Sequence, residues 1–409
     1  MASAPAEVPS HFLCPISLQL MRDPVTLPTG ISYDRAAISR WLAAPAPAAD
    51  RACPVTRLPL APEPQLTPNH TLRRLIQSWL ASLAPGAEVD EDVAALRAPV
   101  SGEEVSALLS DAAAARVDAL KRLREMVTDC EDNRVALESQ DGVFDVLSRV
   151  VSSGDACTTA REEAVGVLAS LRIPDQELVR VVATHGDSLA EALTAVLRSS
   201  NPKSRENAAR LVRSLSDASW PAWVIGLSQE ELLVEVVRVV RDRVSTRATK
   251  AALHALAALC PYGRTRVKIV GAGAVPAIVD LLLDDPERRA CELALAVLDR
   301  LCTCAEGRAE LVAHAAGLAV VGKKVLRVSE AATERAVGVL RSVARHAATP
   351  AVLQEMVQAG VVAKLCVALR AEQSGLRTRE RAHEVLKLHS RVWRSSPCLS
   401  PKFLALYPL

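Results

Sequence analysis

Two near copies of one short string, Cys14-Pro15-Ile16-Ser17 and Cys53-Pro54-Val55-Thr56, lie close to the amino terminus. In each copy the proline ring fixes one backbone angle, a β-branched apolar residue follows, and a hydroxyl side chain can hydrogen-bond its own turn. The strings therefore predict two stiffened loops that present apolar side chains. Such a pair of loops is suited to clamp a partner protein.

The residues between and after these loops predict a small mixed α+β module. Pro28-Thr29-Gly30 indicates a turn, Ile31 to Tyr33 a short strand, and Asp34 the start of a helix. That helix has an apolar face at spacings i, i+3 and i+4, formed by Ile38, Trp41 and Leu42. Asn69 can cap a second helix, whose apolar stripe comprises Leu72, Leu75, Ile76, Trp79, Leu80 and Leu83.

Bound zinc is an alternative way to hold such loops, and the spacing of the candidate Cys and His ligands tests this alternative. Zinc sites need paired Cys or His ligands at spacings such as C-x2-C or H-x3-5-H. Residues 1–80 contain only isolated candidates, namely His11, Cys14, Cys53 and His70. We therefore expect no metal and no cofactor. Hydrogen bonds, proline stiffness and packing must hold the loops instead, with Cys14 and Cys53 as small buried side chains.

The two loops belong to a longer set of strings in a fixed order. The set comprises Phe12-Leu13-Cys14-Pro15-Ile16-Ser17, Asp23-Pro24-Val25, Thr29-Gly30-Ile31-Ser32-Tyr33-Asp34-Arg35, Trp41-Leu42, Cys53-Pro54-Val55-Thr56-Arg57 and Leu66-Thr67-Pro68-Asn69-His70-Thr71-Leu72. In this order it resembles the U-box, the zinc-free relative of the RING finger, over residues 8–83. The resemblance implies a module that docks a ubiquitin-loaded conjugating enzyme (E2) and promotes transfer of ubiquitin to a protein substrate.

By position, the resemblance also implies roles for individual side chains. Ile16, Leu18, Trp41 and Pro54 would form the apolar patch that contacts the E2. Arg57 would bond to both the E2 and ubiquitin, because its rigid fork of donors can bridge two carbonyl groups. Two alternatives stay open: Leu18 and Trp41 as core residues, and Arg57 in an ordinary surface salt bridge.

Composition limits the class of protein. The 409 residues exceed the usual size of a single core, and 50% hydrophobic with only 3% aromatic residues favours many thin helices. A net charge of +2 gives no field that points to nucleic acid. Residues 1–10 lack a secretory pattern, and no apolar run reaches spanning length. We expect a cytoplasmic protein without a transmembrane segment, with the nucleus and peripheral membrane attachment also open.

Beyond residue 103 the chain repeats itself. Apolar anchors recur at steps of 42 to 45 residues, in two independent series: Leu137, Val182, Ile225, Ile269, Leu311 and Met356, and Leu171, Leu215, Leu259, Leu301 and Val343. Helical repeats of this length belong to the HEAT and armadillo classes. Residues 269–282 resemble the armadillo helix-glycine-helix junction, and residues 206–216 resemble its third helix.

These observations predict the organisation of the whole chain. A U-box over residues 8–83 is followed by a linker (84–103), an all-α armadillo-repeat superhelical solenoid of about six repeats (104–395) and a tail (396–409). Stacking the repeats buries apolar faces that no repeat can bury alone.

A U-box followed by armadillo repeats resembles a plant family of E3 ubiquitin-protein ligases, many tied to immune and stress signalling. The resemblance implies a RING-type ligase with no covalent ubiquitin intermediate on this chain, whose repeats bind the substrate; a homodimer is left open. The alternative is a non-catalytic adaptor or scaffold with an inactive U-box. The insert from Ala43 to Asp50 would favour that alternative if it blocked docking.

Overall fold

The computed structural model describes residues 8–43, 52–61, 64–82, 102–129, 131–218, 230–372 and 374–396. The amino-terminal module contains a 3-10 helix (Ser10–Phe12), three short strands and two helices. The strands are β1 (Pro24–Thr26), β2 (Ser32–Asp34) and β3 (Thr67–Pro68), and the helices are α1 (Arg35–Ala43) and α2 (His70–Ser82). The sheet is antiparallel in the order β2-β1-β3, and Val25 at its centre pairs with Tyr33 and Pro68.

One compact core holds this module together. Its fully buried members include Cys14, Val25, Tyr33, Ile38 and Cys53, drawn from both loops, both long strands and α1. Burial of both cysteines is confirmed.

The strand and the two helices predicted for this module are present, with small differences in their bounds and in their buried faces. The strand lies one residue later than predicted, and the Asp34 carboxylate then accepts the amide of Ala36 at the start of α1. Asn69 caps α2 as predicted, because its side-chain oxygen accepts the amide of Leu72 at 3.0 Å. Leu75 was expected in the apolar stripe but is 52% exposed. The stripe is therefore narrower than the sequence indicated, and Leu83 lies outside the described residues.

The rest of the described chain is helical. Its helices are α3 (Gly102–Ala113), α4 (Val117–Asp129), α5 (Glu131–Glu138), α6 (Val143–Ser152), α7 (Thr158–Leu168), α8 (Asp175–Leu197), α9 (Pro202–Ala218), α10 (Glu230–Asp242), α11 (Thr246–Leu259), α12 (Gly263–Gly271), α13 (Ala274–Leu283), α14 (Arg288–Leu301), α15 (Ala305–Ala313), α16 (Gly317–Lys324), α17 (Glu330–His346), α18 (Pro350–Gln358), α19 (Val361–Arg370), α20 (Leu376–Leu388) and α21 (Ser390–Ser395).

From α6 onward these helices stack in two layers. One layer, here called the third-helix layer, packs α7, α9, α11, α14, α17 and α20 in sequence; the other packs α6, α8, α10, α13, α16 and α19. All described anchors of the two predicted series are buried, and only Ile225 lies outside the described residues. The repeat period therefore marks the residues that the stack buries.

The predicted junction at residues 269–282 is confirmed. Helix α12 ends at Gly271, Gly273 adopts a left-handed φ of 84°, and α13 begins at Ala274. The corresponding glycine two repeats earlier, Gly186, lies instead inside the unbroken 23-residue helix α8. Two helices of the repeat are fused there, which the sequence did not predict.

Several predictions fall on residues that the structure does not describe. They are the linker up to residue 101, the insert from residue 44 to 50 and the tail from residue 397. Among described helices, none is by itself long and apolar enough to span a membrane. The pair α18 and α19, bent by 66°, meets that length and composition test only when taken together.

Candidate functional site

The two Cys-Pro loops have the same backbone geometry. In the first loop (residues 14–18) the Leu18 amide donates to the Cys14 carbonyl at 2.8 Å; in the second loop (residues 53–57) the Arg57 amide donates to the Cys53 carbonyl at 2.9 Å. Both closing residues have left-handed backbones, with φ of 56° at Leu18 and 57° at Arg57. Leu18 and Arg57 therefore occupy matching positions at the ends of two equivalent turns.

Strand β2 ties the two loops together through their thiols. The Asp34 amide donates to Cys14 Sγ at 3.3 Å, and the Tyr33 hydroxyl lies 3.0 Å from Cys53 Sγ. The Tyr33 oxygen also accepts the amide of Val55 at 3.3 Å. Adjacent residues of one strand thus position both loops, as the prediction of hydrogen-bonded loops requires.

The Cys53 thiol has an unusual environment for a buried sulfur. Burial alone raises its pKa, but hydrogen bonds from Thr29, Thr56 and Tyr33 outweigh burial and lower the pKa to about 6. Burial and the contact with Cys53 raise the pKa of Tyr33. Because Cys53 is only 1% exposed, this sulfur holds the loop and is not accessible as a nucleophile.

The predicted contact residues lie on these loops and on the helix that follows β2. Leu18 is 74% exposed and Trp41 is 50% exposed, so the alternative that they are core residues is wrong. Ile16 packs against the edge of the core, and Pro54 is half-buried. Arg57 is exposed and forms no ion pair within the described part of the chain, which argues against the salt-bridge alternative. Their roles toward a partner stay predictions.

The second loop presents two apolar residues that the sequence reasoning missed. Val55 is 50% exposed and Leu58 is 54% exposed. Val55 could have been found, because it matches Ile16 when the two strings are aligned. Leu58 carries no comparable signal, because its partner position in the first loop is the polar Gln19. The exposed apolar surface of the second loop is thus larger than predicted.

Among the residues that the structure describes, no group of three or more His, Cys, Asp or Glu side chains is placed to hold a metal ion.

Two family models match the chain. The U-box domain model matches residues 8–84, and the model of the plant U-box protein ARM repeat region matches residues 103–407. The chain belongs to the plant U-box/armadillo-repeat family of E3 ubiquitin-protein ligases. The fold that this family implies, a U-box followed by an all-helical armadillo region, agrees with the architecture described above.

Relatives in this family match nearly end to end. The chain is similar to E3 ubiquitin-protein ligase PUB23 of Arabidopsis thaliana, with 43% identity covering 98% of this chain and 97% of the relative. E3 ubiquitin-protein ligase PUB22 of the same plant is 40% identical, covering 98% and 99%. U-box domain-containing protein 75 of Oryza sativa subsp. japonica is 33% identical, covering 93% and 82%.

A solved structure shows a similar fold. It comes from a study of a phosphorylation switch in the interaction between cadherin and beta-catenin, has a TM-score of 0.57 at 17% identity, and covers 78% of this chain and 57% of its own. At this identity the likeness concerns the fold alone.

Proposed function

We propose that the chain is a RING-type ligase whose U-box docks a ubiquitin-charged E2 on the two Cys-Pro loops. The observation that carries the proposal is the pair of equivalent turns, held by β2, that present Leu18 and Arg57 to solvent. Loops held this firmly lose little conformational entropy when a partner binds.

The apolar contact is formed by Ile16, Leu18, Trp41 and Pro54, and the exposed Val55 is proposed as a further member. Leu18 is 74% exposed, and Trp41 and Val55 are each 50% exposed, so the loops and α1 offer apolar side chains to a partner. A few such anchors supply most of the binding free energy in protein interfaces.

Arg57 performs the step that promotes transfer. Its guanidinium can donate to carbonyl groups of the E2 and of ubiquitin at once, which holds the E2-linked ubiquitin in one reactive orientation. The reactive thioester stays on the E2. This chain accelerates attack by a substrate lysine through positioning alone.

The armadillo region binds the protein to be modified. Its third-helix layer offers one extended surface, which suits partner binding in stacked repeats. We extend the proposal to a cytoplasmic role in plant immune or stress signalling.

Autoubiquitination with a promiscuous E2 tests the ligase function. We expect Ile16→Ala and Arg57→Ala to slow chain formation by roughly ten- to a hundredfold, because the first removes part of the apolar E2 contact and the second removes the donor that orients ubiquitin. Arg74→Ala and Leu75→Ala are matched controls, since both residues are exposed and lie on α2, outside the two loops.

Two outcomes would contradict the proposal. Wild-type protein that forms no chains would favour the non-catalytic adaptor with an inactive U-box. Loop variants as active as the α2 controls would remove the loops from the reaction.

A further inference from the structure

A group of cationic side chains lies on three neighbouring helices of the third-helix layer. Arg210 and Arg213 lie on α9, Arg247 lies on α11, and Arg289 lies on α14; these four residues are called the basic cluster. Helices α9, α11 and α14 pack side by side in that order.

These residues influence one another electrostatically. Burial lowers the pKa of Arg210; Glu206 opposes this, while Arg247 and Arg213 lower it further. Burial, Arg213 and Arg289 lower the pKa of His254, which lies between them on α11. Arg213 and Arg247 are therefore close enough to repel Arg210, and Arg289 lies close enough to act on His254.

The carboxylates around the cluster already have cationic partners. The pairs are Glu206 with Lys203 (2.9 Å), Asp217 with Arg213 (3.6 Å), Glu287 with Lys250 (2.7 Å), and Glu292 with both Arg288 (3.1 Å) and Arg289 (3.3 Å). Arg210 and Arg247 have no carboxylate within ion-pair distance anywhere in the described ranges. These two guanidinium groups therefore have no carboxylate partner among the described residues.

The surplus charge has an energetic cost in the free protein. Arg210 is half-buried, and a guanidinium that is partly withdrawn from water is normally paired. Repulsion from Arg247 and Arg213 adds to that cost. A negatively charged ligand would pair with the partly desolvated Arg210 guanidinium and would also offset the repulsion between the arginines. The cluster is therefore suited to an anionic partner.

We propose that the basic cluster binds an acidic, extended segment of the protein to be modified, an inference that rests on the proposed substrate-binding role of the armadillo region. Packed helices lie about 8–10 Å apart, so the three helices span about 20 Å. That distance equals about six residues of extended chain. The near-zero net charge of the whole protein, +2, argues for a local acidic segment over a nucleic acid.

Fluorescence anisotropy with the full-length chain tests the inference. The probe is a fluorescein-labelled peptide of about eight residues, long enough to cross the three helices, in which Asp and Glu alternate with Ser. We expect Arg210→Gln/Arg247→Gln to weaken its binding by about tenfold or more at low salt. The matched control is Arg264→Gln/Arg377→Gln, which removes the same charge from two exposed arginines that form no ion pair among the described residues.

The inference fails if the peptide does not bind, if both double variants weaken binding equally, or if a thymidine oligonucleotide of equal charge binds more tightly. Autoubiquitination separates this failure from failure of the proposed ligase function. Arg210→Gln/Arg247→Gln should form chains at the wild-type rate, because neither residue belongs to the U-box. An active ligase that ignores the peptide overturns the cluster alone, whereas an inactive wild type overturns the ligase function.

Discussion

At the scale of single residues, the two loops use the same backbone conformation to present two different side chains. Leu18 and Arg57 share a left-handed conformation that costs non-glycine residues about 1 kcal/mol each. Glycine would remove that cost but would also remove the side chain. The loops therefore keep a strained backbone at the two positions where an apolar group and a guanidinium project into solvent, as expected for a binding surface.

Cys53 predicts how the stability of the U-box depends on pH. Its folded pKa of about 6 lies below the ordinary value of 9.0, so the thiolate stabilises the folded state at high pH. This stabilisation is fully present above pH 9 and is lost as the pH falls through 6. We expect the urea midpoint of U-box cleavage in pulse proteolysis to rise between pH 6 and pH 9.

Two variants check this origin. Cys53→Ser should abolish the rise, and Tyr33→Phe should reduce it by removing one hydrogen-bond donor from the sulfur. A wild-type midpoint that stays flat over this range would show that Cys53 remains a neutral thiol.

The buried cysteines were predictable from sequence, because a repeated Cys-Pro string without zinc spacing leaves few other roles for the thiol. The left-handed backbone at Arg57 was not predictable. Arginine and leucine carry no local signal for positive φ, and only the closing hydrogen bonds of each turn impose it.

At the scale of elements, two glycines at corresponding places in the repeats have opposite surroundings. Gly273 has a φ of 84° between α12 and α13, whereas Gly186 has an ordinary helical backbone inside α8. We expect Gly273→Ala to lower the free energy of unfolding by about 1 kcal/mol, because alanine is strained at positive φ. Gly186→Ala should raise it by about 0.5–1 kcal/mol, because glycine weakens a helix interior.

Neither alanine meets a steric obstacle, which makes the pair a matched comparison. A β-carbon at residue 273 has no neighbour within 4 Å, and one at residue 186 meets only a side-chain atom of Val182 at 4.0 Å. Urea denaturation monitored by circular dichroism gives both values. A loss of stability in Gly186→Ala would be incompatible with a continuous α8, and a gain in Gly273→Ala would contradict the left-handed backbone at that residue.

An ion pair links the turn after α13 to the end of α16. Lys324 is fully buried, and its ammonium donates to the carboxylate of Asp285, which also receives Arg327 at 3.0 Å. We expect Asp285→Ala to lower the Tm by roughly 5–10 °C, because it leaves a buried charge without its counterion. Lys324→Met should leave the Tm unchanged or raise it, because an apolar chain of similar shape removes that charge.

Thermal unfolding by circular dichroism measures both changes. A loss of Tm in Lys324→Met as large as that in Asp285→Ala would mean that the pair itself, and not the isolated ammonium, controls stability.

One of the two glycine sites in the repeats was predictable from the sequence, and the other was not. The α12–α13 junction was predictable, because a glycine between two apolar helices matched the repeat. The fusion in α8 was not, since glycine is permitted in both a junction and a helix. Helix α8 packs between α6 and α10, and the local sequence does not encode these tertiary contacts.

At the scale of the whole molecule, the helical region is stabilised by contacts between neighbouring repeats. Its last described helix is anchored by Trp393, which is fully buried and stacks edge-on against His389. The indole nitrogen donates to the Val385 carbonyl at 3.4 Å. The side chain therefore closes one end of the stack, as terminal repeats generally must.

Removing this end should have a local effect. We expect Trp393→Ala to cost about 3–5 kcal/mol and to speed amide hydrogen exchange in α20 and α17. Exchange in α7, α9 and the strands of the U-box should not change, because each repeat contacts only its neighbours. Hydrogen-exchange mass spectrometry resolves these segments, and uniform acceleration across the chain would contradict a stack of locally coupled repeats.

The repeat period and the order of the two regions were predictable from the sequence, because buried anchors recur at a fixed spacing. The basic cluster was not singled out, since its four arginines acquire meaning only when α9, α11 and α14 lie side by side. Separations of about forty residues hide that proximity in a linear string.

The uninterrupted helix α8 has a mechanical consequence. Its 23 residues form a rod about 35 Å long, where a repeat with a glycine joint would have two shorter pieces able to hinge. A stack of repeats that can hinge deforms elastically, and the repeat that contains the fused helix α8 should be stiffer than the others. Elastic deformation under load should therefore concentrate in the repeats on either side of α8, at the left-handed glycines Gly142, Gly273 and Gly360.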